Sequence, residues 1–213
     1  MQVAVVLFPG LTALDAVGPY EVFSRMPGTE VVFVGERTGP VRTDTGHLGL
    51  TADATLADVP GPDVVVVPGG PGQIALMGDG PVHEWLRRVD ATTTWTTSVC
   101  TGSLVLAAAG LLRGRRATSH WLATDQLPGL GAVPAAERVV VDGKYVTAAG
   151  VSAGIDMALT VLGREAGDWA AQAVQLGIEY DPQPPYGAGS PRTAPADVVQ
   201  FLRDNSRFVL SGE

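Results

Sequence analysis

The sequence predicts an α/β fold, a mostly parallel sheet with helices on both faces. Three observations lead there. Short apolar runs rich in valine, such as residues 1–7 (MQVAVVL) and 64–67 (VVVV), have the two-sided hydrophobicity of strands buried between layers. Stretches with helical spacing alternate with these runs along the whole chain, the order expected of a parallel sheet with crossover helices. No repeat, linker or charge block interrupts the 213 residues, so residues 1–213 read as one domain.

The elements follow in order. Strand 1–7 is stopped by Phe8, Pro9 and Gly10. Residues 11–26 place Leu11, Leu14, Val17 and Val22 on one side of a helix, and Gly18-Pro19 is expected to break or kink it. A second strand covers 31–34. Residues 41–50 alternate weakly about Asp44-Thr45-Gly46 and suggest a small hairpin. The third buried strand, 64–67, ends abruptly in Pro68-Gly69-Gly70-Pro71-Gly72, and a helix opens on Pro81 and runs to 91. A β-rich run at 94–99 leads directly into Cys100, and 102–110 (GSLVLAAAG) reads as a buried helix. A short strand is expected at 117–120, ending on His120. Two more, 138–142 and 145–149, are joined across Asp142-Gly143. Helices are expected at 152–165, with Ser152 as N-cap, and at 169–180. A Pro/Gly-rich surface arm, 182–195, precedes a closing helix at 196–210.

Composition removes several functional classes. Fourteen Lys+Arg against 22 Asp+Glu give a net charge of −8. That balance argues against nucleic acid and against an anionic membrane surface, both of which favour a basic partner. No apolar run reaches the roughly 18 residues a spanning helix needs. No basic residue precedes the first apolar run, so a signal peptide is not expected. A single cysteine cannot form an internal disulfide, which points to a reducing, cytoplasmic compartment. One cysteine, three histidines and no acid-rich cluster argue against a metal site.

Ligands of open α/β sheets bind beyond the carboxyl ends of the strands, so the residues after each strand carry the functional signal. Cys100 stands where a strand turns straight into a helix, the geometry of a nucleophile elbow. At a helix N-terminus its thiol is expected to ionise below its usual value of about 8.5 and to be reachable by solvent. Gly69 and Gly70 let the backbone approach a ligand closely, and their N–H groups could converge on a developing negative charge. The same loop is not a phosphate loop, because no Lys-Ser/Thr follows its glycines. Asp15 has apolar flanks, so burial and a nearby thiolate would raise its pKa and suit it to act as an acid. Glu21, six residues on, competes for that role. Of the histidines, His120 is the best partner for a Cys–His dyad. His83 opens a surface helix and His47 sits in the hairpin.

The stretches LFPGLTALDAVGPYEV, VVPGGPG, TSVCTGSLVLAAAGLLRGRRATSHW, VSAGIDMALT and QLGIEYDPQPPYGAG, in this order, resemble the ThiJ/PfpI superfamily of the class I glutamine-amidotransferase-like fold. VCTGS followed by LLRGRRATSHW resembles its isonitrile-hydratase-like branch. The resemblance implies a flavodoxin-like three-layer sandwich, a homodimer, a nucleophile at Cys100, an acid at Asp15 and a hydrogen-bonding hydroxyl at Thr101. Many relatives carry His directly after the cysteine. Thr101 stands there in this chain, which weakens protease-like and Cys–His hydrolase readings. The implied activity is hydration of a small apolar isonitrile to an N-substituted formamide through a thioimidate, with no cofactor. Tyr20, His120, Trp121 and Ile155 are then candidate pocket walls, although Tyr20, Trp121 and Ile155 are residues that more often belong to plain core. Two other classes stay open: a glyoxalase- or deglycase-like enzyme, and a non-catalytic ligand or oxidation sensor.

Overall fold

The computed structural model describes residues 1–206. In chain order the elements are β1 (Gln2–Val6), α1 (Ala13–Phe23), β2 (Glu30–Gly35), β3 (Gly39–Arg42), β4 (Gly49–Ala52), β5 (Ala54–Thr55), β6 (Val64–Val67), α2 (Pro81–Asp90), β7 (Trp95–Val99), α3 (Gly102–Ala108), β8 (Arg116–Ala117), β9 (Val133–Pro134), β10 (Val139–Asp142), β11 (Tyr145–Ala148), α4 (Ala153–Ala166), α5 (Asp168–Gly177) and α6 (Ala196–Asp204). Seven strands form the central sheet in the order β10-β11-β7-β6-β1-β2-β5. All neighbours are parallel except β10 and β11, whose hairpin turns at Gly143-Lys144, one residue later than expected because Asp142 still pairs with Tyr145. The valines of β1 and β6 are completely buried, as strands covered on both faces must be.

Helices α1, α4 and α5 pack on one another on one side, and α2 and α3 pack together on the other. This is the three-layer, flavodoxin-like arrangement. From β1 the chain moves out to β2, then returns to β6 on the opposite side of β1. The switch point therefore lies between the carboxyl ends of β1 and β6, where departing connections leave a crevice.

Several expectations change. Helix α1 is not broken at Gly18-Pro19 and runs through Pro19. Gly154 of α4 has no side chain where one would press on Pro19 Cδ (3.2 Å) and Val99 (3.0 Å), and the proline fits into that space. The strand expected at 117–120 shrinks to Arg116–Ala117, paired with Val133–Pro134, so His120 lies in a turn instead of ending a strand. Ser152 is already helical and makes no side-chain cap; its hydroxyl accepts from the Arg138 guanidinium at 3.2 Å. His83 opens a surface helix as expected, but on its buried face: Glu84, Arg87 and Arg88 of α2 are exposed while His83 is buried. Strand β5, too short to read in the sequence, closes one edge. Helix α6 is described to Asp204, and the end of the helix expected to reach 210 lies outside the described residues.

At the end of the sheet away from the crevice, a polar network joins α2 to two strands. Asp90 Oδ1 accepts from the Thr96 hydroxyl at 2.7 Å and Oδ2 from the Tyr145 hydroxyl at 2.8 Å, with Lys144 Nζ 3.2 Å from Oδ1. The Arg115 guanidinium lies 4.2 Å from the Tyr145 ring centroid. Burial and Asp90 push the Tyr145 phenol up to about 12, so it stays a donor. Tyr145→Phe should cost about 1 kcal/mol in urea unfolding, and Asp90→Ala, which removes an acceptor shared by three donors and leaves the Tyr145 hydroxyl without it, about 2–3 kcal/mol. Unchanged midpoints would show that the network contributes nothing to stability.

Candidate active site

Three adjacent strands, β7, β6 and β1, bring the candidate residues together at their carboxyl ends. Cys100 directly follows β7 and has φ 58°, a left-handed conformation costly for a residue with a Cβ. The strain is held from several sides. Cys100 N–H donates to Ala149 O at 2.9 Å, and the Cys100 carbonyl accepts from the hydroxyls of Ser119 (3.1 Å) and Ser103 (3.3 Å).

Gly69, Gly70 and Gly102 are required by contact. A Cβ on Gly102 would stand 2.0 Å from Val67 O, and one on Gly69 would stand 2.4 Å from Thr101 N. The loop after β6 and the turn after β7 thus interlock backbone to backbone. Gly70 N–H donates to Thr101 Oγ1 at 3.0 Å, and Thr12 N–H donates to Gly69 O at 2.9 Å, tying in the start of α1.

Asp15 sits in the first turn of α1 and is completely buried. Its Oδ2 accepts Gly69 N–H at 2.9 Å, while Oδ1 is buried without a hydrogen-bond partner. The carboxyl lies beside the Cys100 thiol. Burial raises its pKa from 3.8 to about 7, and Asp44 adds to the rise; the Gly69 N–H and the thiol oppose it.

The expected low-pKa, solvent-reachable thiol is corrected. Cys100 is fully buried, and burial followed by the Asp15 charge pushes its pKa well above the ordinary value, against smaller opposing contributions from the N–H groups of Thr101 and Val151. The helix N-terminus alone does not decide the ionisation, because desolvation in the closed crevice outweighs it. What the site contains is a coupled pair, thiol and carboxyl.

The amides of Gly69 and Gly70 are not open anion donors. One holds Asp15 and the other holds Thr101. Thr101 places its N–H, not its hydroxyl, toward the sulfur. Val151 supplies the second N–H and was not foreseen; it follows Gly150 where β11 leads into α4, a strand-end signal parallel to that of Cys100. Glu21 is paired with Arg25 at 2.8 Å on the outer side of α1.

His120 stays neutral, its pKa lowered by burial to about 4. Its Nδ1 accepts Leu122 N–H at 3.3 Å, and its ring packs against Gly150, where a Cβ would come within 2.8 Å of Cδ2. It therefore walls the turn that carries Val151. Trp121 lies against His120, with ring centroids 6.0 Å apart. Tyr20 packs on Phe33 of β2, 5.4 Å between centroids. Ile155 lines an open groove of about 890 Å³ between α1 and α5, together with Leu14, Val17 and Trp169. Trp121 lines a separate small cavity with Ala188 and Leu202, and Tyr20 lines neither, so these three do not share one pocket. Among the described residues no cluster of His, Cys, Asp and Glu could hold a metal ion.

The profile of the DJ-1/PfpI family matches residues 1–164. The chain belongs to the DJ-1/PfpI family. It is 47% identical over 203 residues to an isonitrile hydratase of Pseudomonas putida, covering 95% of this chain and 89% of that protein. It is 32% identical to the HTH-type transcriptional regulator CdhR of Pseudomonas aeruginosa, over 81% of this chain but only 48% of that one. A crystal structure of a ThiJ/PfpI family protein from Pseudomonas syringae superposes with a TM-score of 0.93 at 39% identity, covering 96% of this chain and 85% of that chain.

The buried carboxyl makes a stability prediction. Asp15 keeps its proton to about pH 7 when folded but only to about 3.8 when unfolded, so the folded state holds the extra proton between those values. The contribution is fully present below pH 3.8 and is lost as pH rises through about 7. Asp15→Asn should therefore melt increasingly above the unsubstituted protein across this window, by an equivalent of at most about 4 kcal/mol. A constant difference in melting temperature from acid to neutral pH would contradict the assignment.

Proposed function

We propose that the chain hydrates isonitriles to N-substituted formamides, with Cys100 as nucleophile and Asp15 as the group that carries the proton. The observation that carries this reading is the secluded Cys100–Asp15 pair at the strand-to-helix turn. Its likeness to an isonitrile hydratase over nearly its whole length supports the substrate class.

Once one proton is lost the pair is chiefly thiol facing carboxylate, because burial holds the Cys100 pKa above that of Asp15; the reactive form is its minor tautomer, thiolate facing carboxylic acid. The sulfur attacks the terminal isonitrile carbon, and Asp15 delivers its proton to that same carbon. The product is a thioimidate, R–N=CH–S–Cys100. Water then adds to the carbon with Asp15 as base, and the nitrogen takes up a proton. The tetrahedral R–NH–CH(OH)–S–Cys100 breaks its C–S bond as the hydroxyl proton returns to the pair. Formamide leaves, and one water has been consumed. No electrons are transferred. The N–H groups of Thr101 and Val151 steady the sulfur anion, and the Thr101 hydroxyl fixes the Gly70 loop. Gly69 N–H occupies one Asp15 oxygen and leaves the other for sulfur and substrate. An uncharged apolar substrate suits so dry a site, although its entry requires local opening of the wall.

Cyclohexyl isocyanide should be converted to N-cyclohexylformamide, measured by chromatography. Cys100→Ala should abolish turnover, and Asp15→Asn should lower it about 10²–10⁴-fold. Activity should rise through about pH 7 as the pair loses its first proton, then fall when it loses the second. Full activity in Cys100→Ala overturns the covalent route. Consumption of methylglyoxal without isonitrile turnover favours the glyoxalase-like alternative.

The remaining parts of the reading concern assembly and location. The chain works as one domain, as a homodimer, in a reducing compartment such as the cytoplasm. Among the described residues no helix is long and apolar enough to cross a membrane. In favour of the dimer, Trp169 and Leu176 of α5 are 83% and 80% exposed, and large apolar side chains left so exposed on one helix ordinarily mark an interface. Light scattering should give twice the chain mass, and Trp169→Glu with Leu176→Glu should reduce it to one. A monomeric unsubstituted protein refutes the assignment.

A further inference from the structure

The hairpin of β3 and β4 does more than decorate the sheet edge. Its turn is docked on the segment that leads from β1 into α1. Gly10 N–H donates to Arg42 O at 2.9 Å, Leu11 and Thr43 form an isolated parallel bridge, and Asp44 N–H donates to Leu11 O at 2.9 Å. The docking brings the Asp44 carboxylate over the N-terminus of α1, where its Oδ2 accepts the Thr12 hydroxyl at 3.2 Å.

Thr12 is the N-cap residue of α1, yet its side chain makes no cap to its own helix because the hydroxyl points to Asp44. Thr12 N–H donates to Gly69 O, Gly69 N–H donates to Asp15 Oδ2, and Gly70 N–H donates to Thr101 Oγ1. Asp44 thus stands at the half-exposed end of a hydrogen-bonded sequence that finishes beside the nucleophile.

We propose that Asp44 is a positioning residue for the reaction: its carboxylate biases the proton shared by Asp15 and Cys100 toward Asp15, leaving the sulfur as the attacking thiolate. The inference rests on the isonitrile-hydratase reading only for what the thiolate attacks. The physical need is specific. Asp15 lies in the first helical turn, where the macrodipole favours a carboxylate and works against a group that must carry a proton. A second negative charge at the same helix end offsets that field.

The bias is selective. Asp44 raises the affinity of Asp15 for its proton, whereas the charge that acts on Cys100 is Asp15 itself. Among the described residues, the titratable groups facing Asp15 are Cys100 from the turn after β7 and Asp44 from the hairpin. On the neighbouring helix faces, Asp156 of α4 is paired with Arg138 at 2.7 Å and Glu21 of α1 with Arg25 at 2.8 Å.

Cys100 is the sole cysteine, so a thiolate signal taken as its rate of alkylation by iodoacetamide, which is proportional to the minor thiolate fraction and absent in Cys100→Ala, reports the proton position without any substrate. In Asp44→Asn the thiolate signal on the plateau between the two titrations of the pair should fall about threefold. The acid onset should move down by about half a pH unit, the scale of one partly exposed charge. Turnover of cyclohexyl isocyanide at low substrate should fall by the same factor, and Asp44→Glu should restore both. High salt should move the unsubstituted protein in the same direction and leave Asp44→Asn unaffected. A plateau and onset that do not move in Asp44→Asn, with only the melting temperature lowered, would reduce Asp44 to a hairpin anchor. Should that variant not fold, a salt-independent plateau in the unsubstituted protein overturns the proposal in the same way. If the thiolate signal shifts as expected but no variant or parent turns over isonitrile, Asp44 keeps its role and the substrate reading fails.

Discussion

A carboxyl and a thiol buried side by side form the constraint on which the rest of this structure depends. Each group is costly to ionise in the dry crevice, and the charge of Asp15 makes the thiol costlier still, whereas the thiol's hydrogen bond eases the ionisation of Asp15. The pair consequently behaves as one acid with two coupled protons, not as a free nucleophile with a separate catalyst. Ionising it once is within reach near neutral pH, while removing both protons is not. The surroundings are organised to keep those two groups in contact without letting water solvate them.

That organisation is achieved mostly by backbone. The turn after β7 and the loop after β6 approach so closely that glycine is the sole residue that fits at Gly69 and Gly102. Positive φ at Cys100 aims the side chain into the crevice, and the amides around it are already engaged before any substrate arrives. Such pre-set geometry avoids reorganisation during the reaction. It also explains why Thr101 suffices where many relatives carry His. In the proposed mechanism Asp15 performs the proton transfer, and the residue after the cysteine has to lock two loops together, which a hydroxyl accepting Gly70 N–H does.

The layers of the fold were legible because buried parallel strands leave runs such as VVVV at 64–67, and because the helices between them keep their spacing. The nucleophile turn was legible from Cys100 standing between a strand and a glycine-opened helix. The thiol's ionisation was not, since a helix N-terminus and burial pull in opposite directions and the sequence does not state how deeply the turn is covered. Pro19 misled for a related reason: its tolerance in α1 depends on Gly154, distant in the chain and adjacent in space. Val151 and Asp44 escaped because each acts through a backbone or hydroxyl contact made by tertiary docking, with no local pattern to announce it.

The closed crevice bears on which chemistry suits the pair. A substrate that itself ionises would have to enter at the cost of its hydration, and its charge would disturb both titrations. An isonitrile brings no net charge, and it needs a nucleophile and a proton at one and the same carbon. A thiolate and a carboxylic acid in direct contact can supply both to a single atom with little movement of charge across the site. An exposed, fully ionised thiolate of the kind first expected from the sequence would be the faster attacking group, but it would leave the proton to be drawn from water. The burial that raises both pKa values is therefore the same feature that keeps nucleophile and acid in one place.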